Sequence, residues 1–305
     1  MRISQKSQWG NFLSRCVKMV NKRFLELAER LRNDSIPKAV RKKRELKGSA
    51  PEFNGKVTGD PFILQYDAFG NELIAKSNQI YRGTAAEIPT GTSGEVTNMY
   101  GLRRLALVTT LSQDRTLQSR GYWPITPAQS EAYLKAGKLI TPEDNWEELA
   151  LVLYDSSDGG ENPHESKALA KSIREHAKDL GLGKGDLEKR LVVVNAGMKI
   201  DSSAPHGVVP IIFPGISQVY AHEILSKAGE DKTFEGYGLN GGLPNLKQWD
   251  KEGDRTLYMP DETENIGLRV LIRNWDLDLS AGYGNLTNDN ADGRVHFAPQ
   301  GTRKK

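Results

Sequence analysis

The chain has 305 residues, 37% of them apolar and 27% charged, with a single cysteine and 42 Lys+Arg against 39 Asp+Glu. Length allows one large domain or two ordinary ones, and the composition is that of a folded globular protein rather than a disordered one. The lone Cys16 excludes an intramolecular disulfide framework and a cysteine-built zinc site, and no run of 18 apolar residues exists to span a membrane. The net charge of +3 hides a split: residues 1–50 carry 14 basic and 4 acidic side chains, so a +10 arm precedes a body of −7.

Within the arm, Trp9, Phe12, Leu13, Cys16, Val20, Phe24, Leu27 and Leu31 fall at steps of three and four, which predicts an amphipathic helix with most of its Lys and Arg off the apolar stripe. Pro37 ends the pattern, and Arg41-Lys42-Lys43-Arg44 and a Gly-Ser-Ala-Pro linker (Gly48–Pro51) come after it. Charges interrupt every candidate signal core, so no secretory signal is read and the cytoplasm is the default compartment. Three roles are open for residues 1–47: docking on the body, contact with nucleic acid or an anionic membrane surface, or pairing with a partner helix. Cys16 reads as a small buried hydrophobe.

Residues 51–100 read as a β/loop connecting region. Phe62–Tyr66 and Glu72–Ala75 flank Ala68-Phe69-Gly70-Asn71, which predicts a hairpin, and residues 82–99 read as loop. From residue 101 the pattern mixes helix and strand without a sustained repeat. Leu102–Thr110 predicts a buried strand. Pro127–Ala136 predicts a helix capped by Thr126 and ended by Gly137. Glu147–Tyr154 reads as a strand or a short helix followed by one. Pro163–Leu180 predicts a helix, Leu191–Asn195 and Gly207–Phe213 strands, and Ser217–Ala228 a helix stopping at Gly229.

Several motifs tempt a functional reading. Gly181-Leu182-Gly183-Lys184-Gly185 lacks Gly-Lys-Ser/Thr and follows a helix, so it reads as a turn between helical segments rather than a phosphate loop. Asp155–Gly160 resembles the start of a calcium loop, but Ser166 stands where the twelfth-position Glu is needed; Asp289–Gly293 has the same weakness. No His pair at helical spacing is present among His164, His176, His206, His222 and His296. Ser202 and Ser203 near His206 permit a drawing of nucleophile and base, without a Gly-x-Ser-x-Gly elbow. An α/β enzyme using His206 or the 155–165 loop is one alternative reading, and a nucleic-acid-associated protein acting through the arm is another.

The most unusual composition lies at residues 274–293, where 14 of 20 residues are Asn, Asp, Gly, Ser, Thr or Tyr. Trp275, Leu277, Leu279, Ala281 and Tyr283 alternate with Asp276, Asp278, Ser280, Gly282 and Gly284, which predicts an extended, irregular segment pinned by an apolar face. Strands are expected on each side, at Ile266–Ile272 and Arg294–Ala298. An AAC codon reaches Asp, Ser, Thr and Tyr by one change of an adenine and Gly by two, and those are the residues found.

This footprint, with Gly267-Leu268-Arg269-Val270-Leu271-Ile272-Arg273 and Trp275 before it and Gly293-Arg294-Val295 after it, resembles the variable region of diversity-generating-retroelement target proteins. Trp123-Pro124-Ile125-Thr126-Pro127, Glu165–Leu182, Val194-Asn195-Ala196-Gly197, Pro214-Gly215-Ile216 and Arg255-Thr256-Leu257-Tyr258-Met259-Pro260 are also similar to one group of them, so the resemblance spans about residues 100–300. The Gly-Gly-Ser-Trp signature of the formylglycine-enzyme-like branch is absent. The resemblance implies an α+β, C-type-lectin-like domain over 101–305, non-enzymatic, without a metal or cofactor, binding a macromolecular ligand through its C-terminal surface. Carried over by position, the ligand-binding set is Asp276, Asp278, Ser280, Gly282, Tyr283, Gly284, Asn285, Thr287, Asn290 and Asp292, with Trp275, Leu277, Leu279, Leu286 and Val295 as scaffold. Tyr with Asn, Ser and Gly suits adaptable recognition, and the Asp residues favour a basic or hydrogen-bond-donating ligand.

Overall fold

A computed structural model describes residues 57, 59–139, 145–156, 160–227, 229, 231–238, 241–249, 252–261, 266–287 and 291–299. The basic arm, with Cys16 and the 48–51 linker, lies outside the described residues, as does Asn290. Everything described belongs to one unit, Glu45–Lys305.

In chain order the elements are β1 (Phe62–Ile63), α1 (Ala68–Tyr81), α2 (Gly101–Gln113), α3 (Arg115–Ser119), β2 (Tyr122–Pro124), α4 (Pro127–Lys135), β3 (Trp146–Leu153) and α5 (Pro163–Glu175). Next come β4 (Leu191–Val194), β5 (Gly197–Ile200), β6 (Val208–Ile211), β7 (Gln218–Ala221), a 3-10 turn (Glu223–Lys227), β8 (Lys232–Phe234) and β9 (Arg255–Tyr258). The chain closes with β10 (Leu268–Arg273), β11 (Leu279–Tyr283), β12 (Gly293–Arg294) and β13 (His296–Pro299). The class is α+β: an eight-stranded sheet ordered β7-β4-β3-β10-β11-β9-β8, with β12 on β3, a three-stranded sheet β1-β13-β2, and the β5-β6 hairpin. Pairing is antiparallel except for β11 with β9 and β12 with β3.

Three sequence expectations are corrected. The 62–75 hairpin is instead the end of β1 and helix α1: Asp67 caps the helix by accepting from Gly70 N at 2.8 Å, and Phe69, Leu73, Ile74 and Tyr81 form its buried side. Gly70 serves close approach rather than a turn, since a Cβ there would collide with the Gln65 carbonyl oxygen. Leu102–Thr110 is helix α2, not a strand; ten of its thirteen residues are buried, because it packs on the large sheet through Leu102, Leu105 and Ala106 and on the small one through Leu107 and Leu111. Ser217–Ala228 holds β7 and the 3-10 turn rather than an α-helix; Val219 and Tyr220 point to opposite cores, as strand neighbours do.

Other expectations stand. Thr126 and Gln129 form a reciprocal capping box on α4, and Gly137 comes after it with φ of +63°. Residues 146–153 are strand, fully buried because helices cover one face and the 223–249 region the other. The 181–185 glycine segment is a turn after a helix as expected, but further turns rather than a second helical segment follow it. Among the described residues no helix is long and apolar enough to cross a membrane.

One face of the large sheet packs Leu151, Val193, Val219 and Val270 under α2 and α5. The opposite face packs Val152, Val192, Leu257, Leu271, Leu279 and Ala281 against Phe234, Leu243 and Trp249. Burial of these side chains, each stabilising by roughly 1.5–3 kcal/mol, fixes the strands that flank the C-terminal segment.

Candidate binding surface

The segment from Asn274 to Tyr283 is a turn followed by strand β11, so its irregularity is confined to the turn and one bulge. In the turn, Leu277 N donates to Asn274 O at 3.2 Å and Asn274 N to Asp278 O at 3.1 Å. The Asn274 side chain closes it, accepting from Asp278 N at 2.9 Å. Leu277 takes φ of +66°, a left-handed conformation that costs a branched aliphatic residue about 1–3 kcal/mol and persists only where the surroundings over-determine it.

Those surroundings are a small core of Ile125, Tyr133, Leu134 and Leu149, against which Leu277 packs, and the buried Arg255, with a second buried arginine, Arg273, just before the turn. Arg255 on β9 donates from Nε to Leu277 O at 2.7 Å. Its guanidinium is held bidentately by Glu131 of α4, at 2.7 and 2.8 Å, and lies 4.8 Å from the Phe234 ring centroid. Arg273, at the end of β10, donates to Ser130 Oγ at 2.9 Å and to Glu147 at 3.0 Å. Glu147 also accepts from His296 N at 2.8 Å and lies 3.0 Å from His296 Nδ1. Burial alone would raise the Glu147 carboxyl, but His296 and Arg273 outweigh it and hold the group below its ordinary range.

Above this base the turn exposes Trp275, at 48% of its surface, and Asp276. Trp275 therefore departs from the scaffold role expected of it: the turn breaks the strand alternation before residue 279. Asp278 faces inward, 9% exposed, accepting from Thr256 N at 2.6 Å and from Tyr258 Oη at 3.3 Å. Asp278, and then burial, raises the Tyr258 phenol. Tyr258 is 42% exposed and sits opposite Ser280 in the parallel β9/β11 pair, so the two share a face. The sequence pattern contained this signal, since Tyr258 lies between buried Leu257 and Met259, but it falls outside the Asn/Asp-rich segment.

Along β11, Leu279 and Ala281 enter the second core. Between the pairs Ile272↔Ser280 and Val270↔Tyr283 the strand holds one extra residue, a bulge that returns Tyr283 to the Ser280 face. Tyr283 is half-buried against the first core instead of continuing the Leu279–Ala281 side. Gly282 and Gly284 are half-buried; Asn285 is exposed and accepts from Thr287 N at 2.9 Å, and Thr287 is half-buried. Leu286 and Val295 are buried, as expected of scaffold.

The carried-over positions separate into two groups. Leu279 pairs with Arg273, placing Asp276 at that end of β10, whereas Asn162 Nδ2 donates to both Leu268 O and Gly284 O, placing Gly284–Thr287 at the other end. Asp292 returns to the first end, its carbonyl accepting from Trp146 N at 3.3 Å.

The remaining motifs have structural partners. Asp155 Oδ1 accepts from Gly267 N at 2.9 Å, fixing the entry to β10. Ser203 Oγ donates to Asp201 at 2.6 Å, and Asp201 lies 3.7 Å from His164. The carboxylate thus stands between hydroxyl and imidazole, whereas in a Ser-His-Asp arrangement the imidazole stands in the middle. His206 lies 4.0 Å from buried Glu165. Among the described residues no group of three or more His, Cys, Asp or Glu is placed to hold a metal ion. Comparisons with protein-family models, curated proteins and solved structures find no match for this chain.

Proposed function

We infer that the protein is a non-enzymatic, protein-binding member of the C-type-lectin-like class, whose C-terminal surface is diversified by a retroelement. The observation that carries this reading is the Asn274–Asp278 turn, which holds Trp275 and Asp276 out of the sheet on a base of buried arginine hydrogen bonds and a strained Leu277. Such a base pre-organises exposed side chains, so a partner orders little on docking. The residue set of 274–293, reached from adenine-containing codons, supports diversification of that surface. Trp275 and Tyr258 supply amphipathic contact area, and Asp276 directs this variant toward a basic partner face.

The decisive test is genetic. A near-copy of codons 268–297, differing only where the copy carries adenine and lying beside a reverse-transcriptase gene, is the expected finding. A neighbourhood without such a copy would sink the retroelement reading. Protein binding is checked by affinity capture with the intact chain and with the Trp275→Ala/Asp276→Ala variant; partners retained equally by both would refute the surface assigned here.

A further inference from the structure

The carried-over positions are not equivalent as places for variation. Gly282 lies against backbone: a Cβ there would stand 2.8 Å from Pro260 N and 3.1 Å from both Met259 C and Pro260 Cα. Backbone atoms cannot swing aside as a side chain does, and Gly282 O is engaged by the Arg269 guanidinium. Asp278 is fixed for another reason. Its carboxylate accepts from Thr256 N and Tyr258 Oη across the β9/β11 junction, so it ties the exposed turn to the sheet. Gly284 differs from Gly282, because the nearest neighbours of its Cβ would be side-chain atoms of exposed Glu161, at 3.0 Å, which can swing aside. Asp276 and Asn285 are exposed, and Ser280 is half-buried beside exposed Tyr258.

Resting on the binding surface inferred above, we propose that its specificity is set at Asp276 and Ser280 towards one end of β11 and at Gly284 and Asn285 at the other, while Asp278 and Gly282 form a frame in which substitution costs stability. A side chain at 282 drives β11 away from the Met259–Pro260 backbone and shifts the whole display. Loss of the carboxylate at 278 leaves Thr256 N and the Tyr258 hydroxyl without their acceptor.

The test is thermal unfolding of single variants carrying residues that adenine replacement produces. Gly282→Asn and Gly282→Tyr are expected to lower Tm by on the order of 5–10 °C, the scale of overpacking in a domain of this size, or to prevent folding. Gly282→Ala, with the smallest possible side chain, keeps the comparison measurable and is expected to lower Tm less. Asp278→Gly is expected to lower Tm, whereas Asp276→Asn, Asp276→Tyr and Asn285→Tyr leave it within about 2 °C, as exposed sites do. Gly282→Asn unfolding with the wild-type chain, or Asp276→Tyr unfolding well below it, would overturn the proposal. This outcome is independent of the retroelement reading: a missing template copy removes that reading and leaves the frame intact. Where a template copy exists, its codon for 282 is expected to carry no adenine at its first two positions.

Discussion

Arg255 carries more of this surface than any exposed residue does. Its three guanidinium nitrogens donate to Glu131, Gly236 O and Leu277 O, so it joins α4, the 236–238 segment and the display turn through one planar group. Replacing it by Met leaves Glu131 buried without its cation, and a loss of about 3–5 kcal/mol is expected by urea unfolding. The double variant Arg255→Met/Glu131→Gln should recover part of that loss, since the uncompensated charge is gone; no recovery would mean that packing, not charge, dominates. Trp275 is the opposite case. Half of its surface already meets solvent, so Trp275→Ala should change stability by no more than about 0.5 kcal/mol while removing partner capture.

At the scale of elements, local chemistry and tertiary burial compete. Helix α4 is specified locally: Thr126 accepts from Gln129 N, Gln129 caps in return, and Pro127 starts the first turn. Thr126→Ala is therefore expected to cost about 1 kcal/mol by chemical denaturation, and a silent substitution would show that tertiary packing alone holds the helix. This helix, β3, β4 and β10 are legible in the sequence because their caps or β-branched runs act over a few residues. Helix α2 is not, because cores on both sides bury Leu105 and Leu107 alike and erase its 3.6-residue period. Helix α1 is hidden by Gly70-Asn71, a dipeptide with turn chemistry whose glycine in fact makes room for the Gln65 carbonyl just before the helix. The Asn/Asp/Gly composition marks the C-terminal segment, but its inward Asp278 and outward Trp275 depend on the bond to Thr256 N and the strained Leu277, neither of which is a sequence pattern.

For the whole molecule, buried ionisable groups set the pH response, and two neighbours on β3 act in opposite senses. Glu148 is 2% exposed in a cavity of roughly one water's volume that Arg104 and Gly101 also line, and neither carboxyl oxygen has a hydrogen-bond partner. Burial raises its carboxyl well above the ordinary range, with Arg104 opposing. The folded chain then keeps a proton that the unfolded chain releases, so this group's stabilisation is complete below the ordinary glutamate range. It declines as pH rises from that range toward the raised value, by up to about 1.4 kcal/mol per pH unit. Glu147, held low by His296 and Arg273 against the cost of burial, instead loses its contribution as pH falls through its lowered value. Glu148→Gln should flatten the decline in urea-unfolding stability that begins above the ordinary glutamate range and leave the limb below that range unchanged. An identical pH profile for wild type and variant would place the response elsewhere.

The order β9-β11-β10 has one more outcome. The last strands of the chain are interior ones: β11 lies between β10 and β9, and β13 between β1 and β2. Both sheets thus remain open until residues 279–299 are in place, so the body acquires its native structure only once that stretch has paired. On the diversification proposed above, each rewritten version of that stretch is tested by pairing on both sides at once, and one that cannot pair forfeits an interior strand rather than a loose end. Folding itself then acts as a filter on this surface, discarding incompatible sequences before any partner is met.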